Sequence, residues 1–175
     1  MTDAIAVRLA HRIKRLAPDN PASVEVMAFA LSAYINLIAI VTTSLLVSLA
    51  TGQTKGALAA LISFAVVRQV SGGYHLKSGA LCIAVSVTGI TTLSYADFGA
   101  VVSLVLSAIS AVLAAIYAPS RIDNQTRIPR RFYPHLKIAS IVLICIGHAI
   151  GYSPIIAAMF VQALTLIRKG GEKNA

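Results

Sequence analysis

VMAFALSAYINLIAIVTTSLLVSLATGQT, residues 26–54, is a run of 29 residues without a charged side chain. A helix needs about 20 predominantly apolar residues to cross the hydrocarbon core of a bilayer, and this run exceeds that length. Polar and apolar residues do not alternate along it, as they would in a strand of a membrane β-barrel. The run therefore predicts a membrane-spanning helix over residues 24–50.

Three more uncharged runs follow the first one along the chain. Residues 78–96, 98–120 and 138–167 contain 19, 23 and 30 uncharged residues. Hydrophobic residues make up 57% of the chain and charged residues 12%, whereas soluble domains have about 25% charged residues. This composition excludes an ordinary soluble protein. We expect an all-α integral membrane protein with a single membrane-embedded domain over residues 1–175.

The uncharged runs divide at glycine, proline and charged residues into about six hydrophobic helical segments. Their expected ranges are 24–50, 56–67, 80–95, 100–117, 137–150 and 154–167. Segment 56–67 is only twelve residues long, roughly 18 Å, so it is either a short tilted helix or a re-entrant one. The last two segments are expected to form a hairpin of short helices, which could also be re-entrant, around the turn at residues 151–154.

Residues 3–17 precede the first span and have the pattern of an amphipathic helix. Apolar and basic residues recur at helical spacing: Ile5, Leu9, Ile13 and Leu16, with Arg8, Arg12, Lys14 and Arg15. Such a helix is expected to lie in the headgroup plane of the membrane. The alternative role is a docking face for a peptide substrate.

The distribution of basic residues predicts the orientation. With six spans and the N-terminus inside, fourteen of the fifteen Lys and Arg residues lie on the cytoplasmic side, and only Lys55 lies outside. Basic residues favour the cytoplasmic side. We therefore expect a multi-pass cell-membrane protein with both termini and a basic loop, residues 118–137, in the cytoplasm. The net charge of +9 comes from short segments between the apolar runs, which favours anionic lipid or an acidic peptide over nucleic acid as a partner.

Residues 68–82, RQVSGGYHLKSGALC, combine a cation, a glycine pair, a histidine and a cysteine at the predicted cytoplasmic interface. His75 and Cys82 are seven residues apart, which on one continuous helix is about 10.5 Å along the axis. A nucleophile and its base must approach to about 3 Å, so a catalytic pair requires the chain to fold back. Ser78 is a suitable N-cap for a helix that carries Cys82 in its first turns, where a thiolate is stabilised.

The glycine pair offers a possible site for binding a substrate chain. Gly72 and Gly73 permit backbone conformations closed to other residues, and they allow a substrate chain to approach. Their amides are candidates to bind an oxyanion. From these residues alone, a histidine and a cysteine beside an apolar run are more often packing residues than a catalytic pair. The alternative function is a non-enzymatic membrane protein, such as a peptide exporter or a transporter subunit.

No metal or cofactor is expected. His75 and Cys82 are too few to hold a metal ion, and neither His135 nor His148 has a regular spacing to them. The sequence also lacks the His-Glu-x-x-His and Gly-x-Ser-x-Gly motifs of other hydrolases.

The pattern Arg-x-x-x-Gly-Gly-x-His, followed after six residues by Cys, resembles the core of the accessory gene regulator B (AgrB) family, membrane endopeptidases of Gram-positive quorum sensing. Tyr-Ala-Pro at residues 117–119, followed by Asp123, Asn124 and a basic stretch, is similar to a loop of that family. The resemblance covers nearly the whole chain. The arginines of the basic loop are scattered, whereas relatives often have a compact lysine cluster, and this difference bears on the identity of the substrate.

The resemblance implies a cysteine endopeptidase that removes the C-terminal tail of an AgrD-like propeptide and promotes its cyclisation to a thiolactone or lactone. Cys82 is then the nucleophile and His75 the base, and the resemblance suggests a homodimer. The candidates to bind the substrate and its acidic tail are Arg68, Gly72, Gly73, Lys77, Arg127, Arg130 and Arg131. Positive-inside topology explains each basic residue singly just as well.

The group that orients the imidazole stays open at this point. The candidates are Asp123, Gln69, Ser71 and a backbone carbonyl.

Overall fold

The computed structural model describes residues 2–74, 76, 78–122 and 129–167. Over these residues the chain forms seven α-helices, with a short 3-10 helix (Arg130–Phe132) before the sixth. The α-helices are α1 (Thr2–Leu16), α2 (Val24–Thr51), α3 (Thr54–Ser71), α4 (Gly79–Ser94), α5 (Ala100–Tyr117), α6 (Tyr133–Ile150) and α7 (Ser153–Leu164). The all-α class expected from the sequence is confirmed.

Serine and glycine residues set several helix ends. The hydroxyl groups of Ser23 and Ser78 cap the N-termini of α2 and α4, accepting backbone N–H hydrogen bonds at 3.3 and 3.5 Å. Helices α2 and α6 end at Gly52 and Gly151, whose φ angles are +71° and +69°. Glycine adopts this left-handed conformation without the steric cost of a Cβ atom, so these turns were recognisable from the sequence.

The predicted segments agree with the helices to within two residues except at three boundaries: the end of α3, the start of α6, and the end of α7, which lies at Leu164 instead of residue 167. Helix α3 continues past residue 67 to Ser71 and is 18 residues long, about 27 Å at the helical rise. The prediction ended this segment at residue 67, before the charge of Arg68. A charge at the end of a bundle does not stop a helix, and α3 ends only at Ser71, before Gly72. The basic loop was also predicted too long, because α6 begins at Tyr133 with a proline in its first turn.

The shortest α-helix of the described chain, α7, occupies the interior of the bundle. It has 12 residues, about 18 Å, and contacts α3, α4, α5 and α6. Eight of its residues are buried: Ser153, Pro154, Ile156, Ala157, Ala158, Met159, Gln162 and Ala163. Because the longer helices surround it, α7 does not need the length of an isolated membrane span.

Small residues bring α3 close to its neighbours. Ala57 and Ala60 pack with Ala158 of α7 in one buried cluster. At the start of α3, Gly56 lies against the backbone of Ser94 at the end of α4, where a Cβ atom would overlap the Ser94 carbonyl. Close approach of backbones through small residues is the usual way in which helices associate in a membrane, where the hydrophobic effect does not drive them together.

Helix α1 packs along the first turns of α2. Ala6 and Ala10 are buried, and the Ser32 hydroxyl donates a hydrogen bond of 2.6 Å to the Asp3 carboxylate, so the start of α1 reaches the third turn of α2. The larger side chains of the predicted apolar stripe are exposed: Ile5, Leu9 and Leu16. The apolar residues of α1 thus lie on two surfaces of the helix. The alanines pack inward against α2, and the larger side chains face outward.

Three helical stretches are long and apolar enough to cross a membrane: Val24–Thr51, Ala100–Tyr117 and Arg130–Ile150. Large apolar side chains cover their outer surfaces, such as Ile38, Leu46 and Leu49 on α2 and Val101, Leu104 and Ile116 on α5. The interior is instead rich in serine: Ser44, Ser48, Ser63, Ser71, Ser103, Ser107, Ser110 and Ser140 are buried. An apolar exterior around an interior of small residues identifies a membrane protein.

The connections between helices gather at two ends of the bundle. At one end, the loop after α3 meets the segment after α5 and the last turn of α7, through hydrogen bonds to Ser120 and Thr165. At the other end, the backbone N–H of Phe98, before α5, donates a hydrogen bond of 3.0 Å to the Ser153 hydroxyl, at the start of α7. The residues with candidate chemistry therefore lie at the first end.

Replacement of Gly56 tests the close contact between α3 and α4. We expect Gly56→Ala to lower the free energy of unfolding by about 1–3 kcal/mol, because the backbones must separate to admit the methyl group. Gly89→Ala is the matched control, since a Cβ atom at Gly89 meets nothing within 4 Å. That control should be neutral or more stable by up to about 1 kcal/mol, from helix propensity alone. Thermal unfolding of the two variants in detergent measures the difference, and equal effects would contradict this packing.

Candidate active site

The candidate site is built on a break between two helices. Helix α3 ends at Ser71 and α4 begins at Gly79, and every described residue between them is non-helical. One unbroken helix from His75 to Cys82 is thereby excluded, and the predicted loop between them is confirmed. His75 and Lys77 themselves lie outside the described residues, so their roles stay predictions.

Cys82 lies in the first turns of α4. Its backbone N–H donates the first helical hydrogen bond to the Ser78 carbonyl at 2.9 Å, and the Ser78 hydroxyl caps the same helix. The predicted N-cap is thus confirmed. The thiol is free and half-buried. Cys82 thus lies near a helix N-terminus, where the aligned peptide dipoles give a partial positive charge.

The glycine pair makes a close contact between two segments of the protein. Gly73 donates its N–H to the Ser120 carbonyl at 2.9 Å, and Ser120 donates its own N–H to the Ser71 carbonyl at 2.8 Å. Gly72 has a φ of +70°, and a Cβ atom there would overlap the Ser120 carbonyl oxygen. Only glycine therefore fits this crossing of two backbones.

The sequence-based hypothesis assigned the backbone amides of Gly72 and Gly73 to an oxyanion, but both amides have partners within the protein. The N–H of Gly72 donates to the Arg68 carbonyl at 2.9 Å, and that of Gly73 to Ser120. Both donors that were expected to face an oxyanion are engaged within the protein. The close approach that the glycines permit is that of the protein's own segment after α5.

The last turn of α7 holds the loop from its other side. Gln162 is fully buried, and its amide nitrogen donates to the Gly72 carbonyl at 2.7 Å and to the Ser71 hydroxyl at 3.1 Å. The Thr165 carbonyl accepts a hydrogen bond of 3.0 Å from the backbone N–H of Tyr74. Three chain segments, after α3, after α5 and at the end of α7, thus form one hydrogen-bonded unit.

Arginine side chains hold Tyr74, the residue before His75 in the sequence. Arg68 donates from Nη2 to the Tyr74 carbonyl at 2.7 Å, and the Arg121 guanidinium lies 5.4 Å from the centre of the Tyr74 ring. Arg68 also donates from Nη1 to the Gln162 side-chain oxygen at 3.4 Å. Arg68 therefore links the last turn of α3 both to the loop and to α7.

The remaining predicted residues fall into two groups. Arg130 and Arg131 are exposed in the 3-10 helix before α6, where Arg131 lies 4.9 Å from the centre of the Phe132 ring. Arg127 and Asp123 lie outside the described residues. The structure therefore brings Arg68, Gly72 and Gly73 together around Gln162. It places Cys82 at the start of α4, and Arg130 and Arg131 in a separate segment.

Two further possibilities from the sequence can be compared with the structure: Ser71 as the group that orients the imidazole, and a metal site. The buried Ser71 hydroxyl donates to the Val67 carbonyl at 2.8 Å and accepts from Gln162, so it serves the end of α3. Across the described ranges, no three His, Cys, Asp or Glu side chains gather in a group that could hold a metal ion.

The sequence analysis did not single out Gln162, Ser120, Thr165 or Arg121. A signal for Gln162 existed, because a glutamine within a 30-residue uncharged run needs hydrogen-bond partners to be tolerated in a membrane interior. Which partners it would find could not be read from the sequence, because Gln162 lies 90 residues from Gly72 along the chain.

The sequence profile of the accessory gene regulator B family matches residues 4–167. An AgrB-like protein of Halalkalibacterium halodurans is 32% identical over 120 residues, which cover 68% of this chain and 61% of that relative. The matched region thus spans about three fifths of the relative's length. No solved structure matches significantly.

Replacement of Gly72 tests the contact between the loop and the segment after α5. Gly52 is the matched control, because its φ of +71° is almost the same but a Cβ atom there meets nothing within 4 Å. Gly52→Ala should cost about 1 kcal/mol of unfolding free energy through backbone strain alone. Gly72→Ala should cost more than twice as much, because the Ser120 backbone must also move. Equal melting temperatures of the two variants in detergent would contradict the crossing.

Proposed function

Because the chain belongs to the accessory gene regulator B family, we propose that it is a membrane-embedded cysteine endopeptidase that processes an AgrD-like propeptide. The observation that supports this most is the helix break between α3 and α4. It places Cys82 in the first turns of α4, after a non-helical loop whose sequence contains His75. Arg68 lies on the other side of the break, in the last turn of α3.

In the first step, the Cys82 thiolate attacks a backbone carbonyl carbon of the propeptide. The peptide bond then breaks as the tetrahedral intermediate collapses to a thioester on Cys82. His75, as imidazolium, gives its proton to the leaving amine, and the C-terminal tail departs. Helix α4 contributes through its N-terminal dipole, which stabilises the attacking thiolate.

In the second step, an internal Cys or Ser of the propeptide attacks the thioester. His75 takes the proton of that nucleophile, the bond to Cys82 breaks, and a thiolactone or lactone ring is released. Exchange of one thioester for another is close to neutral in energy, so the outcome depends on excluding water from the site. A site at the end of an apolar bundle, beside the buried glycine loop, is suited to that exclusion.

The basic residues predicted from the sequence are candidates to hold an acidic tail. Arg68, Arg130 and Arg131 are the predicted ones among the described residues, and Lys77 and Arg127 complete the set. The positive-inside tendency supports a cytoplasmic location for this end and for both termini, in a six-span arrangement. A homodimer stays a prediction from the family resemblance.

Coexpression with a candidate propeptide tests the activity. We expect mass spectrometry to detect the released tail and a cyclic product with the parent chain. Cys82→Ala and His75→Ala should each reduce tail release by at least about 1000-fold, because no other group supplies the nucleophile or the proton transfer.

Cys145→Ala and His135→Ala are the matched controls for these two changes. Cys145 and His135 are exposed residues of α6, and neither belongs to the loop, so tail release should be unchanged. Release that persists in both Cys82→Ala and His75→Ala would contradict the endopeptidase and favour a non-enzymatic membrane protein.

A further inference from the structure

Helix α1 has an outer face that combines two kinds of side chain. Three arginines and three large apolar residues of this face are exposed: Arg8, Arg12, Arg15, Ile5, Leu9 and Leu16. At 3.6 residues per turn, the arginines form one stripe along the helix and the apolar side chains form a second stripe beside it. Both stripes lie on the side of α1 opposite to the buried Ala6 and Ala10, which pack against α2.

The guanidinium groups of this outer face have few partners. Of the three arginine side chains, only Arg15 donates a hydrogen bond within the described residues, from Nε to the His11 carbonyl at 3.4 Å. An open depression of about 330 Å³ is lined, among the described residues, by Arg12, Arg15 and Leu16. Guanidinium groups bind carboxylates strongly, and an amphipathic helix recognises a partner through its apolar stripe. The face therefore fits a ligand that presents carboxylates next to apolar side chains.

Helix α1 runs along α2 and not across its base. Asp3, at the start of α1, accepts a hydrogen bond of 2.6 Å from Ser32 in the third turn of α2. Lys14, at the end of α1, donates from Nζ to the Asn20 carbonyl at 2.5 Å and to the Ala22 carbonyl at 3.4 Å, just before α2 begins. The two helices are thus antiparallel, so α1 stands upright wherever α2 spans the membrane.

The length of α2 places the end of α1 outside the hydrocarbon core. The 28 residues of α2 extend about 42 Å, and at the average tilt of about 20° they exceed a core of about 30 Å by about 9 Å. Lys55 closely follows the far end of α2, so the excess lies at the near end, beside α1. Leu16, at the end of α1, is 87% exposed there. An apolar stripe beyond the reach of lipid chains favours a peptide over the bilayer as its partner.

We propose that the outer face of α1 docks an acidic, amphipathic peptide segment. The arginines pair with carboxylates spaced three or four residues apart, and the apolar stripe packs against the apolar side of the segment. This inference rests on the proposed function for the identity of that segment, which is the C-terminal tail of the propeptide.

The position of α1 suits a tail that leaves the candidate nucleophile. Helix α1 contacts α4, whose first turns carry Cys82. The start of α1 is the part nearest the bundle, because its end leads into the turn before α2. Arg15 lies about 18 Å beyond Asp3 along the helix axis. The tail can therefore run along the outer face of α1, away from the membrane.

A single fluorescent reporter tests what covers this face. The chain contains no tryptophan, so Leu16→Trp introduces the one indole of the protein. In phosphatidylcholine nanodiscs with one chain per disc, we expect that indole to emit as a water-exposed group and to escape quenching by lipids with brominated acyl chains. The synthetic peptide LEELLEELLEEL should shift its emission to the blue. The matched peptide LQQLLQQLLQQL, which lacks the carboxylates, should bind at least about tenfold more weakly.

Removal of two arginines tests the charge pairing in the same background. Arg12→Gln combined with Arg15→Gln should raise the Kd of the acidic peptide about tenfold. Lys55→Gln is the control for the loss of an exposed positive charge, because Lys55 lies at the start of α3, and it should change the Kd less than about twofold. In propeptide cleavage, the double arginine variant should raise KM about tenfold and leave kcat within about twofold.

Three results would overturn the proposal. Quenching of the indole by brominated lipids without peptide would assign the face to the bilayer. An emission that shifts when each disc holds two chains would assign it to a second copy of this chain. Equal peptide binding by the parent and the double arginine variant would exclude the charge pairing. Because peptide binding needs no cleavage, a parent chain that binds the acidic peptide but cleaves no propeptide defeats the proposed function alone.

Discussion

The hydrogen bonds between the Gln162 amide and the loop after α3 are the constraint on which the rest of this end of the bundle depends. A chain that leaves a helix near apolar surroundings exposes backbone groups that water cannot satisfy. Here Gln162, Thr165 and Ser120 supply partners for residues 71–74. The non-helical loop can therefore remain at the bundle end, and the proposed cysteine chemistry requires that break.

This constraint also explains why the shortest helix is the most central. Helix α7 turns back from α6 at Gly151 and ends where its last turn meets the glycine loop. A longer α7 would carry helical backbone past the loop, and Thr165 could not offer its carbonyl to Tyr74. The surrounding helices provide the lipid-facing surface, and α7 connects the interior to the site.

Local signals in the sequence predicted much of the fold but little of the network around the site. Uncharged runs and the turns that interrupt them predicted the helices, and Ser78 predicted where α4 begins. The end of α3 was misplaced because the charge of Arg68 was taken as a helix stop. The glycine pair was recognised, but its role was not, because the segment that crosses it comes from Ser120, about fifty residues later. Gln162 was missed because its partners at the end of α3 and in the loop are 90 to 94 residues away in sequence.

The most direct test of the account is a search for the covalent intermediate on Cys82. A propeptide whose internal nucleophile is replaced by alanine cannot close a ring, so the acyl group should remain on the protein after the tail departs. Intact-mass measurement of the purified chain should then show an adduct equal to the N-terminal fragment, mapped to Cys82 and removed by hydroxylamine, which cleaves thioesters. Tail release without such an adduct, or an adduct that forms equally in Cys82→Ala, would contradict the account.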